Sequence, residues 1–386
     1  MEMGRFELAV EYRAAYHADL PHVVKLSGGR TSGYLAMKIG ASLSRERGDL
    51  MLFNNTSAEH PETYDFLCLL KKRIESDFQI PVFFLQYMSL KNANGFRGAS
   101  YRLVNERPKS ADNPDGYAWR GEVYEELISA TGYLPQVMSR SCTHRLKKQP
   151  TIDMMTDWLY HRQPCRQGDR TEPSIEEWYA SHQRRNGRKS FAKFCQMRSY
   201  VRNVSGERPA QRYEEFSSVY QPFRGGEDAF VSLIGLRGDE PHRIARIEKL
   251  RRPNHTDPVD EHAYCPLRES TVEDVNDYWR SSSLDLELPY EDNVGNCAYC
   301  FLKGQKSLAA TLRWQYQNGA EPNTPADLGW WQRIESTYGS PRRDGNGSVG
   351  FFREPLSYDN LEDVIMKRTP GQRTLWENNM PCDCTG

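Results

Sequence analysis

PHVVKLSGGRTSGYL, residues 21–35, decides how the rest of the chain is read. Val23, Val24 and Leu26 form a strand-length apolar run that breaks at Ser27-Gly28-Gly29, after which Leu35 and Ile39 fall on one helical stripe. A strand that ends in paired glycines and turns at once into a helix aims backbone N–H groups and the positive end of the helix dipole at one spot. Glycine lets a ligand approach the backbone, and Ser27, Thr31 and Ser32 add hydroxyls. The Gly-Lys-Ser/Thr ending of a Walker loop is absent. Taken alone, the string also fits an ordinary glycine-rich turn between a strand and a helix.

The pattern then repeats. Residues 49–54 (DLMLFN) and 81–86 (PVFFLQ) read as strands around a helix over 61–76 that is opened by proline and acidic residues. Segments 122–130 and 144–160 read as helices, and FVSLIGL (230–236) as the next buried strand. Strands alternating with helices at this spacing predict an α/β fold with a parallel sheet. The polar, glycine-rich stretch 89–116 reads as a loop at the mouth of the site. The predicted organisation is a nucleotide-binding α/β half (1–160), a basic and mostly helical insertion (161–226), completion of the core with a cysteine region (227–304) and a helical C-terminal extension (305–386).

The chain has 386 residues with 51 basic against 52 acidic ones, so no global field drives it onto nucleic acid and any basic surface must be local. Such a segment exists at 181–203, where Arg184, Arg185, Arg188, Lys189, Lys193, Arg198 and Arg202 occur without an acidic residue, among Phe191, Phe194 and Tyr200. Clustered cations with interspersed aromatics suit a phosphate backbone, and equally a solvated helix or a protein docking face. No apolar run approaches the roughly 18 residues of a membrane span, and the N-terminus is too charged for a signal peptide, so a cytoplasmic protein without a membrane partner is expected. Nine cysteines without an export signal favour metal ligation or sulfur chemistry over disulfides. Cys68 reads as core, Cys165 and Cys195 lie in the insertion without obvious partners, and Cys382 and Cys384 end the chain as a tail pair.

SGGRTS (27–32) resembles the pyrophosphate loop, Ser-Gly-Gly-x-Asp-Ser, of the PP-loop ATP pyrophosphatases and their relatives, the phosphoadenosine phosphosulfate reductases. Four further segments follow in the same order: NNTSAEHPET (54–63), RSCTHRLK (140–147), GLRGDEPHR (235–243), and Pro266-Leu267 with Asp274-Val275. The resemblance covers roughly residues 22–304 apart from the insertion. It implies a Rossmann-like fold of the adenine nucleotide alpha-hydrolase type, helices on both faces of the sheet, and ATP with Mg²⁺ held by Ser27, Gly28, Gly29, Arg30, Thr31 and Ser32. Asn55 and Thr56 would line the adenosine. Thr31 departs from the family, which has an aspartate there that helps position Mg²⁺. Ser27, Arg237 and Arg243 are the candidate catalytic residues, since a guanidinium can grip phosphate oxygens and offset charge on a leaving pyrophosphate. A surface ion pair with Asp239 or Glu240 is the ordinary alternative for either arginine, and Glu59 and Glu62 read equally well as first-turn helix acids.

Cys297-Ala-Tyr-Cys300 can grip one metal or a cluster edge, although a structural zinc or two unremarkable thiols fit the same string. Iron-sulfur members of the resembled family pair a Cys-Cys segment with a later Cys-x-x-Cys. Cys142, Cys297 and Cys300 match three of those four positions, with Ser141 in place of the other cysteine. A [4Fe–4S] cluster usually takes four cysteines, and Cys265 is the nearest candidate for the fourth. The combination looks most like the ATP pyrophosphatase component of DNA phosphorothioate modification systems. That resemblance implies adenylation of an acceptor, DNA above all, sulfur from a cysteine desulfurase, and further subunits of a modification complex. A sulfonucleotide reductase and a non-catalytic nucleotide-sensing subunit are the alternatives; the Glu-Cys-Gly-Leu-His motif of the reductases is absent.

Overall fold

The computed structural model of the protein describes residues 19–91, 97–131, 133–137, 140–159, 229–249, 259–290, 294–341, 348–352 and 356–366. The predicted insertion 161–226, with its basic segment, Cys165 and Cys195, lies outside the described residues, as do Cys382 and Cys384.

His22–Leu26 (β1) is an interior strand of a seven-stranded sheet and leads through the glycine turn into Arg30–Ile39 (α1). Leu50–Asn55 (β2), Pro61–Phe78 (α2), Val82–Lys91 (β3), Arg97–Pro108 (β4) and Gly116–Tyr117 (β5) follow. Glu122–Thr131 (α3) precedes a π-helical turn, Thr143–Lys148, that runs into Gln149–Leu159 (α4). Beyond the insertion come Ala229–Leu233 (β6), Pro241–Lys249 (α5), Asp260–Tyr264 (β7) and Val272–Arg280 (α6). The C-terminal part holds Gln305–Asn318 (α7), Leu328–Tyr338 (α8), the short antiparallel pair Ser340–Pro341 (β8) and Ser348–Val349 (β9), and Tyr358–Met366 (α9).

The sheet order is β5-β4-β3-β2-β1-β6-β7. β1 pairs in parallel with β2 and with β6, β2 with β3, and β6 with β7. The α/β expectation holds, with two corrections. Of the stretch 89–116 read as a loop, residues 89–91 and 97–108 are strand: β3 continues to Lys91 and β4 returns beside it, antiparallel, with Tyr87 opposite Tyr101 and Leu85 opposite Leu103. The sheet is therefore mixed. In β4 the alternate residues Ala99, Tyr101 and Leu103 are buried, so one face of the strand supplies enough apolar contact to order a stretch that is polar on average.

Strand alternation feeds both faces of the sheet. Val24, Leu26, Met51, Phe53, Phe84 and Val231 pack with α1, α2 and α6, whereas Val23, Leu50, Leu52, Phe83, Leu85 and Phe230 pack with Ile152, Met154, Met155 and Trp158 of α4. A second core joins α3, residues 297–302, α7, α8 and α9 around Trp330, Trp331, Phe351 and Tyr358. Among the described residues no helix is long and apolar enough to cross a membrane.

α1 is fastened at its first residue. The Arg30 guanidinium bonds both Asp285 carboxylate oxygens (2.8 and 3.3 Å) and the carbonyls of Leu286, Leu288 (2.6 Å) and Pro289 (3.3 Å), and stacks on Tyr290 with 3.6 Å between its carbon and the ring centre. The Trp279 indole N–H of α6 donates to the Arg30 carbonyl at 2.8 Å. Because the Arg30 side chain is only 10% exposed, truncation strands Asp285 and three carbonyls in a partly dry site. We expect Arg30→Ala to lose about 3 kcal/mol in urea unfolding, whereas Arg73→Ala, which removes an exposed pair with Asp77, changes stability by less than about 0.5 kcal/mol.

Candidate functional site

The turn after β1 is tight for identifiable reasons. Gly28 has φ +81°, and a Cβ there would collide with Thr63 Cγ2 of α2. Two separate constraints, backbone and packing, thus exclude side chains at this position. Ser27 donates its N–H to Ser32 Oγ at 3.1 Å, the two hydroxyls are 3.1 Å apart, and Ser32 Oγ also donates to the Gly29 carbonyl at 2.9 Å. The serines hold the loop together from inside, leaving Gly29 and Thr31 at its partly exposed rim. Gly29 caps α1 without a side-chain acceptor, and no acidic residue stands in the first turn. First-turn N–H groups of a helix lack intrahelical partners, so this terminus suits an anion.

Chain order and sheet order together locate a crevice. From β1 the chain moves to β2 and β3 on one side, then crosses to β6 and β7 on the other. The loops after β1 and β6 therefore diverge at the carboxyl edge, the switch point where open α/β sheets bind ligands. Gly235, just past β6, lies so close to α1 that a Cβ would stand 3.2 Å from Ser32 Cα. Arg237 reaches the glycine loop, donating from Nη1 to Thr31 Oγ1 at 2.8 Å. Asp239 holds its Nε and Nη2 at 2.9 and 3.4 Å, and Glu240 approaches Nη1 at 3.4 Å. Arg243, on α5, pairs with Glu240. The ion pairs anticipated as the ordinary alternative are thus present, and in Arg237 they coexist with a contact to the loop.

Other candidates are committed elsewhere. The Arg30 guanidinium points into the 285–290 segment. Asn55 is fully buried: its amide donates to Gln86 (2.8 Å) and the Ala118 carbonyl (2.7 Å), while its oxygen accepts from the Ser57 N–H (2.7 Å) and Tyr64 hydroxyl (3.1 Å). It ties β2, β3 and α2 together. Ser57, at φ +58°, accepts the Val123 N–H at 2.8 Å on its hydroxyl and so caps α3 across the chain.

Thr56 belongs to a different constellation. Its hydroxyl donates to Glu59 Oε1 at 3.0 Å and lies 3.6 Å from Cys297 Sγ, which is itself 3.6 Å from the same carboxylate oxygen. Glu59 is not a first-turn acid: it precedes α2, is 1% exposed, and leaves Oε2 without a partner. Cys142, Cys297 and Cys300 are all buried in the second core around Tyr124 and Tyr358. Burial pushes the three thiols up, Cys142 to about 11, with Glu59 adding to the effect at Cys297. Lys147, 4% exposed, stands among them; burial lowers its ammonium, its interaction with Cys297, Glu59 and Cys300 raises it, and the balance lies above its ordinary value.

Cys265 does not join this group. It is buried with Ile234 and Leu236, against Ile244 and Ile247, beside β6 and β7. Among the described residues no three His, Cys, Asp or Glu side chains are arranged to hold a metal ion. The side chains therefore do not fit a four-cysteine cluster as they stand: three thiols share one core and the fourth candidate packs in another.

His60, which precedes α2, is 2% exposed. Its imidazole donates to the Val294 carbonyl, and burial together with the nearby Lys303 ammonium lowers it to about 3. The native state therefore keeps His60 neutral between about pH 3 and the unfolded value of 6.5, while the unfolded chain takes up a proton. Its contribution to stability is present above pH 6.5 and declines as the pH falls through that window, with a slope of about 1.4 kcal/mol per pH unit. Urea titrations from pH 7 to pH 4 should show this loss, and His60→Gln should remove about one proton from the linkage.

No protein-family model matches the sequence, and no solved structure matches the fold. A curated protein described as "Uncharacterized nin region protein ORF290", from Escherichia phage lambda, is 20% identical over 295 residues, covering 76% of this chain and 69% of that protein.

Proposed function

We propose that this chain is an ATP pyrophosphatase of the PP-loop type, with a Rossmann-like nucleotide fold, that activates an acceptor by adenylation for sulfur insertion. The observation that carries the reading is the crevice between the β1 and β6 loops, where an uncapped helix start and an arginine converge on one partly exposed rim. ATP with its Mg²⁺ would lay its pyrophosphate on Gly28, Gly29 and the first N–H groups of α1. Ser27 and Ser32 keep the loop in shape. Arg237, held edge-on by Asp239, would donate from Nη1 to the departing phosphate oxygens in exchange for Thr31.

In this reading an acceptor oxygen attacks the α-phosphorus, its bond to the β-phosphoryl oxygen breaks, and pyrophosphate leaves with both electrons of that bond. A cysteine desulfurase would supply sulfur as a persulfide, and a thiol reductant would provide the two electrons that release it as sulfide and itself become a disulfide. The sulfide would displace AMP, the acceptor's bond to the adenylate oxygen breaking as its bond to sulfur forms. The basic sequence 181–203 supports a nucleic-acid acceptor, with the DNA backbone phosphate as the choice the family resemblance favours.

Purified chain with ATP, Mg²⁺, DNA, a thiol reductant and sodium sulfide as the sulfur source is expected to release pyrophosphate and AMP. Arg237→Ala should lower that rate by about 10²-fold or more, the usual cost of removing one donor to developing charge. Gly28→Val should abolish nucleotide binding, because Cβ and backbone are both excluded there. Absence of pyrophosphate from the unmodified chain under these conditions overturns the reading, and full turnover by Arg237→Ala removes that residue's role.

A further inference from the structure

The glycine crevice leaves unused a second concavity, an open cleft of about 370 Å³ between the start of α2 and the end of α7, lined by His60, Glu62, Trp314, Gln315, Asn318 and Glu321 among others. Its size falls within the range of small-molecule sites.

The buried side-chain atoms of this wall that have no partner are both acceptors. His60 is buried and gives its imidazole proton to the Val294 carbonyl, so Nε2, which has no partner, carries a lone pair and accepts only. Glu62 takes one bond from the Trp314 indole and leaves Oε2 without a partner. Of the side-chain amides, Gln315 gives an N–H to Asp327 at 2.9 Å and Asn318 one to the Trp314 carbonyl at 3.0 Å.

Charge points the same way. Burial pushes the Glu62 carboxyl up, and Asp65 and Glu287 add repulsion. Glu321 is paired with Arg120, and the Lys303 ammonium is spent on the Val294 and Ala298 carbonyls at 2.6 and 2.7 Å. A wall that offers two buried acceptors, a carboxylate without a counter-charge and an indole complements a ligand bringing N–H donors and positive charge on a short apolar stem.

We propose that the His60–Glu62–Trp314 cleft is a binding site for an organic ammonium, its N–H groups directed at Glu62 Oε2 and His60 Nε2 and its alkyl stem along Trp314. The site is separate from the nucleotide crevice, since none of its lining residues belongs to the β1 or β6 loop.

The probe is n-butylammonium chloride, read by the NMR signal of the Trp314 indole N–H, assigned with Trp314→Phe. Saturable displacement of that signal by n-butylammonium is expected, with no displacement by n-butanol, which has the same stem and no charge. Glu62→Gln, which keeps the shape and removes the charge, should weaken the affinity at least tenfold with an unchanged far-ultraviolet spectrum. Equal response to the alcohol and the ammonium, no saturable response to either, or unchanged affinity in folded Glu62→Gln overturns the proposal. The comparison of the two probes uses unmodified protein and does not depend on any variant folding. A chain that releases pyrophosphate from ATP and ignores n-butylammonium overturns this inference alone.

Discussion

The grip of Arg30 on the 285–290 segment is the interaction on which the carboxyl edge of the sheet depends. One guanidinium spans a carboxylate, three carbonyls and a tyrosine ring, while the backbone of the same residue accepts from Trp279. The helix start that faces the crevice is therefore held by contacts from α6 and the segment after it, at the far end of the sequence from the loop itself. A rigid N-terminus matters for anion recognition because unpaired N–H groups act together only when their directions are fixed in advance. The interaction is also asymmetric in energy: four hydrogen-bonded partners and a stacked ring surround one largely buried cation, so the arrangement costs little while complete and much when broken.

Much of the fold was legible because burial on both faces writes itself as continuous apolar sequence. β1, β2, β3 and β6 could each be read that way, and α2 was marked by Pro61 and Glu62. The missed strands carry weaker signals. β4 has an apolar face of Ala99, Tyr101 and Leu103 set among Arg102, Asn105 and Glu106, so its period of two is masked by the polar average. β7 reads Asp-Glu-His-Ala-Tyr, half-buried throughout, as an edge strand can be when one neighbour supplies all of its pairing.

The site was legible in its backbone and less so in its side chains. Gly28 announces a left-handed, crowded position, and Arg237 stands just past a buried strand, so both could be found from local sequence. Arg30 and Asn55 could not be separated from ligand-binding residues in that way. Their partners, Asp285 and Gln86 with Ala118, are distant in sequence, and a polar residue beside a phosphate loop looks the same whichever way it points. Lys147 ended a segment matched to the resembled family and Glu59 read as a helix acid, but the burial of neither could be seen, because a buried charge is recognised only when the groups that share its burial are known. The gathering of Cys142, Cys297 and Cys300, by contrast, was suggested by family likeness, and the second core does bring those three together.

The π-helical turn at Thr143–Lys148 bears on that gathering. Cys142 and Lys147 are five residues apart, a separation that in an α-helix would turn them about 140° away from each other. A winding that closes its hydrogen bonds five residues on instead stacks such positions along one side. The wider turn is thus a one-residue gear change: it lets a thiol and an ammonium on one continuous helix look into the same interior, while α4 beyond it resumes ordinary winding and turns its apolar side to the sheet. Deleting a single residue here would relax the helix and rotate the cation out of the sulfur-lined core.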